Sequence, residues 1–78
     1  MNETEVKFNC QSVVSTWLTI HIKEIDDETT FSLKINGKTI KCDKNNMAEK
    51  LFDLIKRGEK GSVEMCINGV KKEIFDIF

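Results

Sequence analysis

The clearest hydrophobic periodicity in the chain runs from Asp43 to Gly58, DKNNMAEKLFDLIKRG. Met47, Leu51, Leu54 and Ile55 fall at i, i+4, i+7 and i+8, and Ala48 and Phe52 widen the stripe. That spacing predicts an amphipathic helix. Asp43 is placed to cap it, with Cys42 and Met47 as a hydrophobic staple; Asn46 with Glu49 as its capping-box partner is the alternative. Lys56 and Arg57 suit the negative end of the helix dipole, and Gly58 stands where a left-handed terminating residue belongs.

Elsewhere the period is two. The run WLTIHIKEI, from Trp17 to Ile25, is rich in β-branched and aromatic residues and reads as a strand. After the polar turn Asp26-Asp27-Glu28, TTFSLKIN alternates cleanly and ends in Asn36-Gly37, a strong hairpin signal. The stretch KTIKC then completes a three-stranded meander. In this register Leu33 faces Ile40 and Phe31 faces Cys42, while Ile22 faces Leu33 and Ile20 faces Ile35. One sheet face is then continuously apolar, and a slip of one residue would destroy it.

Val63, Met65 and Ile67 alternate before a second Asn-Gly, Asn68-Gly69. The two Ile-Asn-Gly turns lie 32 residues apart, either a trace of an internal repeat or the shared requirement of two hairpins. The last stretch, VKKEIFDIF, fits a strand after that turn or a helix with Val70, Ile74, Ile77 and Phe78 on one face; the turn favours the strand. As a strand it pairs Ile67 with Val70 and Val63 with Ile74, and it sets Glu64 opposite Glu73. At the other end, Val6, Phe8 and Cys10 suggest a short strand, and residues 1–5 are expected to fray.

These elements predict one α+β domain over residues 1–78. Its architecture is two-layer: an antiparallel sheet of four to five strands with one helix packed on one face, in the order β-β-β-α-β-β.

Composition narrows the function. A chain of 78 residues holds one modest core. Three widely spaced cysteines, Cys10, Cys42 and Cys66, and no apolar leader point to free thiols in a cytoplasmic setting. No stretch is long and apolar enough to span a membrane. The net charge of −1 conceals an asymmetry: residues 1–33 carry six acids and two lysines, whereas residues 34–60 carry eight basic and four acidic groups.

Candidate chemistry is sparse. His21 is the only histidine, and the predicted register sets it beside Lys34, a cation rather than an orienting carboxylate. The cysteines lack the spacings of a zinc site, and the four glycines form no phosphate-binding loop. No catalytic residue, metal site or cofactor is predicted, and the chain is expected not to be an enzyme.

The outer face of the meander is the best candidate surface. It gathers Trp17, His21, Lys23, Lys34 and Lys41 in the rows His21–Lys34–Thr39 and Lys23–Ser32–Lys41, with Trp17 and Ile25 as large apolar groups among polar ones. A non-enzymatic protein-binding module is expected. A small phage or mobile-element inhibitor of a host protein complex is one form it would take, given a composition rich in Lys, Ile and Asn. The alternative is a nucleic-acid-binding module using the same cationic face. Homodimerisation through a free sheet edge is a further expectation.

Overall fold

The computed structural model describes residues 3–78, and the first element differs from the strands expected there. Helix α1 runs Glu3–Ile20 and ends in a short 3-10 turn, Ile22–Glu24. The order is therefore α-β-β-α-β-β, not β-β-β-α-β-β, with two helices instead of one. Val6, Cys10, Val14, Trp17 and Leu18 recur at i, i+4, i+8, i+11 and i+12 and join the core, so a helix buries five apolar groups from this segment. The strand reading would have hidden Ile20 and Ile22, which are 66% and 65% exposed. β-propensity spans only ~1 kcal/mol and yields to packing of this kind. Glu3 and Glu5 lie in the first turn, where the dipole favours acids. Near the other end, the Thr19 hydroxyl donates to the Ser15 carbonyl at 2.9 Å, which satisfies a β-branched residue inside the helix.

The acidic turn after α1 is locally held: Asp26 Oδ1 accepts from the Glu28 N–H at 2.9 Å. Strands β1 (Phe31–Ile35) and β2 (Lys38–Cys42) then form the predicted hairpin, with Leu33 opposite Ile40 and Phe31 opposite Cys42. Asn36 and Gly37 have φ of 49° and 78°, the left-handed pair that a two-residue turn requires.

Helix α2 spans Met47–Lys56. The N-cap is Asn46, not Asp43, and it makes no side-chain capping bond; Asp43 instead organises the turn that leads into the helix. Its Oδ1 accepts from the Asn46 N–H at 3.0 Å, while Asn46 Oδ1 accepts from the Asp43 N–H at 2.8 Å. Glu49 takes no part in this reciprocal pair of bonds. At the far end Gly58 has φ 80°, its N–H donates to the Ile55 carbonyl, and the Glu59 N–H reaches back to Leu54. This is a Schellman stop.

Strands β3 (Gly61–Ile67) and β4 (Val70–Ile77) form the second hairpin, so the C-terminal stretch is a strand. Ile67 pairs with Val70, but a bulge shifts the rest of the register. Met65 faces Glu73 while Cys66 faces Lys71, leaving Lys72 as the extra residue. Val63 therefore meets Phe75, not Ile74, and Glu64 meets Ile74 rather than the like-charged Glu73.

The four antiparallel strands lie in the order β2-β1-β3-β4. The second neighbour of β1 is β3, not the residues from Trp17 to Ile25. Phe31, Leu33 and Ile35 of β1 and Val63, Met65 and Ile67 of β3 cluster with Cys10, Val14 and Trp17 of α1 and Met47, Leu51 and Leu54 of α2. Among the described residues no helix is long and apolar enough to cross a membrane.

Candidate binding surfaces

The alternate residues of the strands make the opposite sheet face. Pairing across the sheet gives two rows, Thr39–Lys34–Glu64–Ile74 and Lys41–Ser32–Cys66–Lys71. The Lys34–Thr39 and Ser32–Lys41 pairs are those predicted. Thr39 and Lys41 are exposed, and Ser32 and Lys34 are half-buried. A shallow hollow of about 610 Å³ includes Ser32, Lys34, Thr39 and Lys41 in its lining. Neither Lys34 nor Lys41 has an ion-pair partner among the described residues, whereas Lys71 approaches Glu64 at 3.9 Å.

Three predicted members of that surface lie elsewhere, because α1 replaces the strand that was to carry them. Trp17 is 2% exposed in the core, its ring edge-on to Phe31 with centroids 6.0 Å apart. Its indole N–H has no acceptor among the described residues. His21 is half-buried beside Trp17, with ring centroids 5.3 Å apart. Its Nδ1 lies 2.7 Å from Glu24 Oε2, and Glu24 is also paired with Lys72 from the bulge. The Lys72 ammonium first, and His21 second, hold the Glu24 carboxyl below its usual value. This cluster ties the end of α1 to β4 and is a clamp between elements. Lys23 is exposed in the 3-10 turn, and Ile25 is half-buried against the core. The structure thus keeps Lys34 and Lys41 together and separates Trp17, His21 and Lys23 from them.

Two of the three thiols are shifted upward. Burial raises the Cys10 thiol, and burial with the neighbouring Asp43 carboxylate pushes Cys42 up to about 11. Cys66 is buried on the outer sheet face, between Ser32 and Lys71 in its row.

A second surface joins a free sheet edge, of the kind expected from the sequence, to the charged outer side of α2. Strand β2 is an edge of the sheet, and α2 contacts both β2 and β1. Between β2 and α2 lies an open groove of about 460 Å³, lined by Ile40, Lys50, Asp53, Lys56 and Arg57. The charged outer side of α2 is generic by itself. Its significance comes from the sheet order, which leaves β2 free beside it, and no local sequence pattern carries that order. At one end of the groove Lys38 is tied to Glu59 at 2.8 Å, and Asn36 donates to the same carboxylate at 3.1 Å.

No family model, curated protein or solved structure matches this chain. Its functional reading rests on its own residues.

Proposed function

We propose that this protein is a non-enzymatic module that binds another protein through the face bearing Lys34 and Lys41. In this reading the domain has two layers. Both helices cover one side of the sheet, and the other side is left for a partner.

The observation that carries the proposal is the pairing of Lys34 with Thr39 and of Ser32 with Lys41 on the face opposite the core, with neither lysine in an ion pair among the described residues although Glu64 lies across from Lys34 on β3. Cations held by a rigid hairpin steer and orient an acidic surface at little conformational cost. The raised thiols and the use of His21 in a clamp favour binding over catalysis. Inhibition of a larger assembly in the cytoplasm is one outcome such binding would serve. Self-association by pairing of the β2 edges is less favoured, since β2 carries Lys38 and Lys41. Nucleic-acid binding loses its stacking ring, because Trp17 belongs to the core.

Affinity capture from cells of the source organism, using the native protein and a Lys34→Glu, Lys41→Glu variant, tests the proposal. A protein retained by the native chain and lost by the variant supports it. Retention of the same proteins by both, or of nucleic acid alone, overturns it.

A further inference from the structure

The geometry points to the β2 edge and the adjoining α2 groove as an acceptor for an extended acidic segment of a partner protein, which adds as a fifth strand. This inference rests on the reading of the chain as a protein-binding module and specifies how it would bind.

The backbone pattern comes first. In a two-residue hairpin the residues flanking the turn exchange both main-chain hydrogen bonds, and exchanging pairs then alternate along the ladder. Ile35 and Lys38 flank the Asn36-Gly37 turn, so Leu33/Ile40 and Phe31/Cys42 are the next exchanging pairs. The N–H and C=O groups of Thr39 and Lys41 therefore point away from β1, toward the open side of the sheet. They form a two-residue template for an added strand.

The side chains select what is added. A residue opposite Thr39 or Lys41 presents its side chain on the outer face, near Lys41 and Lys34. The residue between them points to the other face, against Ile40 and the groove with Lys50 and Lys56. An alternation of carboxylates and aliphatic groups matches both faces: acids to the lysines of the sheet, an aliphatic side chain to Ile40. Across this region, residues 34–60 carry eight basic and four acidic groups. The same lysines that repel a second copy of β2 attract an acidic strand, so one device serves rejection and recognition. Edge β4 offers no comparable template. Its ladder is broken by the bulge at Lys72, and its outer positions include Asp76, which bonds Ser62 at 2.7 Å.

The test titrates the full-length protein with a short labelled peptide alternating Glu and Val, and with its counterpart alternating Lys and Val. The Glu peptide should bind at low salt and weaken as salt rises, and the Lys peptide should not bind. Thr39→Pro removes one template N–H that takes no part in the β1–β2 ladder, a change tolerated on an edge strand. It should weaken binding about fivefold or more. Methylating alternate amides of the peptide tests the same bonds without altering the protein: one set should abolish binding and the other leave it intact. No binding of the Glu peptide overturns the inference, as does binding indifferent to both Thr39→Pro and amide methylation. A cellular partner captured through Lys34 and Lys41 whose retention survives Thr39→Pro would sink strand addition while leaving the binding-module reading standing. Glu-peptide binding without any captured partner would leave the edge site and sink the wider reading.

Discussion

Leu33 and Met65 face each other across the β1–β3 seam, and they are also equivalent positions of the two Ile-Asn-Gly hairpins, 32 residues apart. A residue paired with its own equivalent marks a local two-fold axis through the centre of the sheet. Each turn asparagine also reaches the neighbouring hairpin, though through different groups. Asn36 donates to the Lys60 carbonyl just before β3, and Asn68 accepts from the Thr30 N–H just before β1. The two β-hairpins are thus related by this axis.

Both side chains are fully buried. Leu33→Ala should cost about 2–5 kcal/mol, and Met65→Ala a similar amount, through lost burial and an unfilled cavity. In a domain this small either change approaches the whole stability margin. Urea denaturation of the two single variants and the double variant should show non-additive losses, as expected for residues in contact.

Trp17 presents a sharper contrast between two substitutions. Trp17→Ala should destabilise by about 3–5 kcal/mol. Trp17→Phe keeps an aromatic ring against Phe31 and removes a buried N–H that has no acceptor, so its cost should be clearly smaller. Thermal melts of the two variants distinguish this core role from a surface role, for which both would be near neutral. As the sole tryptophan, it should fluoresce at short wavelength in the native protein and shift red on unfolding.

Glu24 links stability to pH. Its carboxyl is held below the usual value by Lys72 and then His21. A lowered folded value means that the stabilisation is present above the unfolded carboxylate value of about 4.3 and is lost as pH falls through the folded one. The melting temperature should fall as pH drops below about 4.5, and Glu24→Gln should flatten that dependence. Glu59, lowered by Lys38 and Asn36, acts in the same direction, so a Glu24→Gln, Glu59→Gln variant should be flatter still.

The Asp43–Asn46 turn leads the chain into α2. Asp43→Ala removes the acceptor of the Asn45 and Asn46 N–H groups and should cost about 0.5–2 kcal/mol. Asn46→Ala should cost a comparable amount by removing the reciprocal bond, and Glu49→Ala should cost less than either. Chemical denaturation of the three variants checks the ranking.

The hairpins and α2 were legible because each carries its own local punctuation: Asn36-Gly37, Asn68-Gly69, Asp43 and Gly58. The register of Leu33 against Ile40 followed from that turn alone. Helix α1 has no such signal. Its β-branched residues mimic a strand, and the ridge from Val6 to Leu18 matters only once β1 and α2 are there to receive it. The fate of the candidate site followed from the same fact. Lys34 and Lys41 lie on a hairpin fixed by its turn and were placed correctly, whereas Trp17, His21 and Lys23 depended on the misassigned element. The bulge at Lys72 was hidden for a different reason. It avoids a Glu64–Glu73 clash that two strands in ideal register would contain.

Amide hydrogen exchange at Thr39 and Lys41 decides whether the free β2 edge takes up an added strand. In the free protein these two amides should exchange fast while their neighbours Ile40 and Cys42 are protected. Saturation with the acidic Glu-Val peptide should slow Thr39 and Lys41 and leave Ile40 and Cys42 unchanged. Exchange at Thr39 and Lys41 that is already slow in the free protein, or that stays fast when the peptide is bound, would contradict strand addition at this edge.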